Sequence, residues 1–338
     1  MATTELTMLN PTLLDLRARM DPDNKIAAII EMLAKTNPIL EDMVMAEGNL
    51  PTGHRTTIRT GLPSVYWRTI NKGVKPSKSR TAQVDEGCGM LEAYAEVDKV
   101  LADLNGNTAA FRLSEDRAFI ESMNQEMARA LFYGNPEVEP EKFLGLAPRF
   151  AAASSDETLS GYNVVKPAGS VTPSGTDQTS IWLVVWGTNT VHGIYPKGSQ
   201  AGLQHNDLGE VTLGDATNGY YQGYRAHYKW DLGLVVRDWR YVVRIANIDM
   251  GSITSDPATQ GLLDAMDEAL QRIPSLSMGR PSFYARREVM SLLTKQARKG
   301  ASSTITVSDL EENRQLVKFS GIPIKRTDGI LKTEAAVS

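Results

Sequence analysis

GNLPTGHRTTIRTGLPSVYWRTINKGVKPSKSRTAQV, residues 48–84, holds seven fixed cations and no acid. The cations are Arg55, Arg59, Arg68, Lys72, Lys75, Lys78 and Arg80. The next twenty residues reverse the sign, with Asp85, Glu86, Glu92, Glu96, Asp98 and Asp103 against Lys99 alone. A charge of +7 is thus followed by −5 within 57 residues, whereas an ordinary solvated surface mixes its signs. Pro51, Gly53, Gly61, Pro63, Gly73 and Pro76 interrupt the basic stretch too often for a long helix. Thr56–Ile58 and Val65–Trp67 are strand-like in composition, so the segment is expected to be an extended hairpin with a polar tip near Asn71–Ser79. It has too few apolar residues for a core of its own. It must lean on something else.

On its N-terminal side, Asp23 can cap a helix in which Ile26, Ile29, Ile30 and Leu33 recur at helical spacing, until Asn37-Pro38 ends it. On its C-terminal side the spacing predicts a helix over Ser114–Tyr133. Ser114 is the expected N-cap, Glu115 and Asp116 suit the dipole, and Gly134-Asn135-Pro136 is the stop. Phe119, Met123, Met127, Ala130 and Leu131 form its apolar stripe, and twenty residues make a rod of about 30 Å. Beyond a Pro-, Ala- and Ser-rich passage, Ile181–Trp186 and Val191–Tyr195 are expected as strands joined by a turn at Gly187-Thr188-Asn189. Tyr224–Trp230 and Leu234–Ile248 are expected as a second pair, turning at Asp231-Leu232-Gly233. Helices follow at Gly261–Arg272 and Ser282–Lys299, and the tail from Leu316 to Leu331 is a strand interrupted by Gly321 and Pro323. Strand runs and helix runs are segregated, so the class is α+β.

With 338 residues and 41% hydrophobic composition the chain can bury a sizeable core. One cysteine, Cys88, excludes an intrachain disulfide framework and a cysteine-based zinc site. No apolar run reaches the roughly 18 residues of a membrane span, and residues 1–20 lack a signal core. The expectation is a mature chain beginning near Met1, in a reducing compartment. A formal charge of −4 argues against gripping nucleic acid with the whole surface.

Catalytic chemistry is hard to find. GIYPKGSQAG at 193–202 is glycine-rich but matches no phosphate cradle. His54, His192, His205 and His227 lack metal-ligand spacing. Ser199, His205 and Asp207 are triad residue types without a nucleophile elbow, and Asp231 and Asp238 flank an expected turn where Asp is common. Tyr224, Tyr228 and Trp230, interleaved with Arg225 and Lys229, fit half-buried sheet better than a base-stacking platform. No catalytic residue, cofactor or metal is expected.

A cationic arm without a core, an adjoining acidic stretch, a spine-like helix and a sheet body suit a subunit that interlocks with copies of itself. Five stretches carry a more specific signal: LFYGNPEVEPEKFLGLAPRF at 131–150, SIWLVVWGTNTVHGIYPKGSQAGL at 180–203, YKWDLGLVVRDWRYVVRIANID at 228–249, GRPSFYARREVMSLLTKQ at 279–296 and GIPIKRTDGIL at 321–331. In this order the sequence resembles the major capsid proteins of tailed bacteriophages, which adopt the Hong Kong 97 fold, and looks most like those of short-tailed phages.

The resemblance implies an N-terminal arm over 1–50, an extended loop over 51–98, and a peripheral domain over 99–150 with 114–133 as its spine helix. It implies a mostly axial domain over 151–315, within which 237–249 is either axial or a peripheral strand, and a C-terminal return to the peripheral domain over 316–338. It further implies hexamers and pentamers in an icosahedral virion shell around double-stranded DNA, assembled in the host bacterial cytoplasm. Scaffolding, portal and cement or decoration proteins are the implied partners, with no membrane. The inter-subunit contact candidates are Arg55, Arg59, Arg68, Lys72, Lys75, Lys78 and Arg80, expected to lie across a neighbour's acidic surface, together with Asp85, Glu86, Glu92 and Glu96; that surface is either the neighbour's 85–103 stretch or its spine helix. Two alternatives stay open on the residues: a cellular nanocompartment shell of the same fold, and a sheet-rich hydrolase using Ser199, His205 and Asp207 or the Asp231/Asp238 pair.

Overall fold

A computed structural model describes residues 37–104, 108–167, 177–214, 219–250, 258–298, 305–310 and 314–338. The helix expected after Asp23 lies outside the described residues. The chain divides into two compact units, one of 36–89, 128–201 and 232–338 and one of 1–35, 90–127 and 202–231.

The larger unit is organised by β5 (Gln178–Trp186), in which all nine residues are buried. β9 (Val242–Asp249) and β10 (Arg280–Ala285) pair with it antiparallel on its two edges. The sheet continues from β10 through β13 (Ile322–Arg326), β12 (Arg314–Phe319) and β11 (Ile305–Leu310), and β4 (Val164–Val165) lies parallel to β9. Because side chains alternate along a strand, Ile181, Leu183 and Val185 enter one core. There they meet Val243, Ile245 and Phe283, with Leu262 and Met266 of α5 (Ala258–Gln271) and Val289 and Leu293 of α6 (Arg287–Arg298). Trp182 and Trp186 take the other face. The Trp182 ring lies 6.2 Å from Phe132 and 6.1 Å from Phe150, and Trp186 Nε1 donates to Tyr284 Oη at 2.8 Å.

Four local expectations are corrected here. The turn at Gly187–Asn189 exists, but β5 and β6 (Val191–Tyr195) share only the parallel pair Trp186–Val191. Both edges of β5 are already taken, so β6 pairs instead with β1 (Met45–Glu47) and with the second half of β8 (Tyr220–Val236). There is no turn at Asp231–Gly233 either, because β8 runs straight through it. Gly233 is there for close approach: a Cβ would sit 2.6 Å from the Gly87 carbonyl. The expected helix over Ser282–Lys299 starts only at Arg287, since Phe283, Tyr284 and Ala285 are buried between β5 and β13. Finally, the tail is a hairpin of β12 and β13. Ser320 and Gly321 both adopt positive φ, 48° and 83°, as a tight two-residue turn requires.

The smaller unit holds the second half of β3 (Arg80–Asp98), α2 (Lys99–Ala102), most of α3 (Thr108–Tyr133), and β7 (Leu203–Gly214) antiparallel to the first half of β8. Val97, Leu101, Ala102 and Phe111 make one small core, and Ala95, Met123, Ala226 and Tyr228 another. Helix α3 starts at least six residues before the expected position, so its 26 residues span about 39 Å. Ser114 does not cap it; its hydroxyl donates to the Phe111 carbonyl inside the helix. Burial of Phe111 carries the helix upstream.

A buried clasp holds the C-terminal segment to the sheet of the larger unit. Glu334 accepts from Arg244 at 2.8 Å, and also from Ser180 and Tyr133. Arg244 further donates to the Phe150 carbonyl at 2.9 Å and stacks its guanidinium over Trp182. Burial, and then the Glu334 charge, push the Tyr133 hydroxyl well above its ordinary range. Asn247 and Val337 exchange a reciprocal pair of hydrogen bonds at 2.7 and 2.8 Å. Removing one partner of such a pair leaves a buried charge uncompensated, so Glu334→Ala is expected to destabilise the unassembled chain by about 3–5 kcal/mol. A urea midpoint unchanged from wild type would show that the clasp contributes little.

Candidate functional site

The basic segment forms a hairpin of β2 (Gly53–Gly61) and the first half of β3, registered from Gly53–Gly87 to Gly61–Arg80. Residues 62–79 between them adopt no strand, which corrects the expectation for Val65–Trp67. The Arg68 guanidinium donates to the Lys72 carbonyl at 3.0 Å and Ser77 Oγ to the Ser64 carbonyl at 2.6 Å, closing a broad irregular tip. Asn71 takes the left-handed conformation at φ 66°, which asparagine tolerates.

The hairpin is fixed at its base. Glu86 is 6% exposed and meets the Arg149 guanidinium in a two-pronged pair at 2.6 Å on each prong. Arg149 also donates to the Leu144, Gly145 and Leu234 carbonyls. Beside this pair His54 lies 3.3 Å from Arg237 and edge-on to His192, ring centroids 6.1 Å apart. His192 is 1% exposed; burial first, then Arg237 and His54, lower its pKa to about 4. His54 is lowered by burial and by Arg237.

The eleven contact candidates separate into committed and free groups. Arg55 forms a two-pronged pair with Asp85, directly across the hairpin, at 2.6 and 2.7 Å, and this hydrogen bonding holds the Asp85 carboxyl below its ordinary range. Glu86 is the buried anchor. In the smaller unit Glu96 pairs with Arg225 at 2.5 Å, and Glu92 lies 3.3 Å from His227 and 4.0 Å from Lys229. Asp98 caps α2, and Asp103 accepts from Thr108 and Tyr224. The acidic stretch is therefore engaged within its own chain. By contrast Arg59, Arg68, Lys72, Lys75, Lys78 and Arg80 are exposed and have no acidic partner among the described residues.

Sequence reasoning missed a second property of the tip. Leu62, Val65, Tyr66, Trp67, Ile70 and Val74 are all exposed, and Trp67 has no shielding at all. The signal was present in LPSVYWRTI, an apolar run with no periodic continuation, but it resembled a strand.

The candidates for chemistry are engaged in structure. Asp207 accepts from Arg112 at 2.5 Å and His205 stacks on Tyr228 at 4.8 Å. Asp231 is buried 3.3 Å from Lys229, while Asp238 holds Arg240. In the glycine-rich loop the Gly198 amide donates to Glu47, so an acid already occupies that position. Tyr228 and Trp230 pack in the smaller unit's core and do not form a platform. Among the described residues no three His, Cys, Asp or Glu side chains are grouped to hold a metal ion.

A family model described as "Major capsid protein GP7" matches residues 21–338. The structure of bacteriophage Epsilon15 matches at 35% identity with TM-score 0.77, covering 99% of this chain and 99% of that one. The capsid of bacteriophage JBD30 matches at 9% identity with TM-score 0.50, covering 90% of this chain and 95% of that one. No curated protein matches the chain. The matches bear out the expected α+β, Hong Kong 97-like fold.

The histidines at the hairpin base set a pH dependence. An unfolded chain protonates His192 near pH 6.5, the folded one only near 4. The stabilisation from keeping it neutral is complete above pH 6.5 and is lost as pH falls toward 4, amounting to roughly 3 kcal/mol for one group. His54 adds to it with the same sign. Urea midpoints of the unassembled chain are expected to drop less between pH 7 and pH 4.5 in His192→Gln than in wild type. Equal drops would remove His192 from the account.

Proposed function

The chain belongs to the family of major capsid protein GP7, and from that premise we propose that its cationic hairpin lies across a neighbouring copy of the same chain. It is the structural coat subunit of a tailed bacteriophage, assembled from many copies into a shell. The observation that carries the proposal is the set of six exposed cations without an acid between residues 48 and 84. Such a surface repels its own kind and is complementary to an acidic one.

In this reading residues 1–50 are the arm, 51–98 the extended loop, 99–150 the peripheral domain and 151–315 mostly the axial domain, with 316–338 returning to the peripheral domain. The copies form hexamers and pentamers of an icosahedral virion shell around double-stranded DNA. Assembly takes place in the host cytoplasm with scaffolding, portal and cement or decoration proteins, and the chain has no catalytic role. Since the acids of 85–103 are engaged at home, the neighbour's acceptor is some other acidic surface.

An exposed ion pair contributes only about 0–1 kcal/mol. Repeated around a closed shell, several such pairs set register, and their individual weakness lets a misplaced subunit leave before closure. Arg68→Glu with Lys72→Glu is therefore expected to suppress shells in negative-stain microscopy and sedimentation while the unassembled chain keeps its wild-type circular dichroism. Normal shells from the double variant would refute the proposal.

A further inference from the structure

The tip of the hairpin is apolar as well as basic, and its charges do not account for that. Leu62, Val65, Tyr66, Trp67, Ile70 and Val74 stand exposed within thirteen residues, Tyr66 and Val74 by about half and the other four almost entirely. Monomeric proteins scatter single apolar residues over their surfaces but rarely concentrate them on a segment without structure of its own. At interfaces, affinity resides in a few aromatic anchors, while rim charges govern encounter and register.

The same unit presents a surface of opposite character just after α3. Pro136, Glu137, Val138, Glu139, Pro140 and Glu141 are all exposed, and Val138 is 76% exposed between two of the acids. Asn135 accepts the backbone amides of Val138 and Glu139 through its carbonyl and that of Glu137 through its side chain. Phe143, 5% exposed, roots the far side. Lys142 pairs with Glu139 at 2.9 Å, leaving Glu137 and Glu141 without an ion-pair partner among the described residues. This surface is apolar at its centre and acidic at its edges, whereas the tip is apolar at its centre and basic at its edges.

We propose that the apolar tip seats on residues 136–141 of a second copy of this chain, with Trp67 as the anchor that supplies most of the affinity and the cations facing Glu137 and Glu141. This rests on the reading that the hairpin contacts a neighbour, and it assigns both the residue that holds the contact and the surface that receives it. Trp67 is fully exposed, so its replacement is expected to leave the fold intact.

The test uses the full chain under conditions where wild type forms shells, with the threshold concentration read by light scattering and sedimentation. Trp67→Ala is expected to raise that threshold at least tenfold and Trp67→Phe by less. The acrylamide-quenchable fluorescence that wild type has and Trp67→Phe lacks is expected to fall on assembly. Lys72→Glu with Lys75→Glu should lose shells, and adding Glu137→Lys with Glu141→Lys should restore them. An unchanged threshold in Trp67→Ala, or a Trp67 still quenchable in the shell, would overturn the anchor. Loss in Lys72→Glu with Lys75→Glu that adding Glu137→Lys with Glu141→Lys does not rescue would overturn the acceptor. If Trp67→Ala fails to assemble while Arg68→Glu with Lys72→Glu assembles normally, the anchor stands and the electrostatic reading falls.

Discussion

Strand β5 sets the terms for the larger unit, because its nine residues are buried and both its edges are paired. A strand so enclosed leaves its neighbours no freedom of register: a one-residue slip would exchange the Ile181–Leu183–Val185 face with the Trp182–Trp186 face. The consequences spread outward. β6 keeps a single pair with β5 and becomes mainly the partner of β1 and β8. Arg244, opposite Trp182 on β9, is carried into the interior, where only a carboxylate can complete it. Glu334 supplies that carboxylate, and so the C-terminal segment is tied to a constraint that begins in the central strand.

The same logic of completion separates the charges. Acids of the 85–103 stretch are engaged by partners of the same chain: Asp85 by Arg55 and Glu86 by Arg149 at the hairpin base, and Glu96 by Arg225 within the smaller unit. The hairpin's cations beyond Arg55 have no acidic partner among the described residues. The alternation of +7 and −5 along the sequence is therefore not one surface seeking another. Most of the acidic half is engaged within the fold, and most of the basic half is exposed without an acidic partner among the described residues. Buried Glu86 and the neutral histidines make the base a rigid mounting, while the tip has few internal hydrogen bonds. That division suits a projecting contact element, fixed where it meets its own body and adaptable where it meets another.

Local signals served the sequence reading well wherever burial was complete or periodic. The unbroken run SIWLVVW marked the central strand, and Met123, Met127, Ala130 and Leu131 marked the long helix. Failures came where partners distant in sequence decided the outcome. Asp231-Leu232-Gly233 has turn composition, yet Gly233 is small because Gly87 passes close by. Phe283–Ala285 looked helical beside Val289 and Leu293, yet the slot between β5 and β13 claimed it for a strand. Ser114 had the chemistry of a cap, and Phe111 three residues earlier overruled it by being buried. No local propensity encodes those outcomes, because each follows from a surface that exists only once the fold is made.

The hairpin is the opposite case, legible because it lacks something. Its charge pattern stands out because, Arg55 apart, no acid among the described residues neutralises it, and its apolar tip was misread because a strand is the ordinary destiny of Val-Tyr-Trp. A strand would have hidden those side chains against a sheet. Left in the open, they carry an unmet demand for burial that solvation of the neighbouring lysines does not relieve, since hydration of a charge leaves the adjacent apolar surface in contact with water. Lysine and arginine repulsion opposes stacking one tip on another, so self-association tip to tip is disfavoured while an acid-rimmed apolar surface is favoured. The sequence of this segment therefore excludes the wrong partner by the same residues with which it selects the right one.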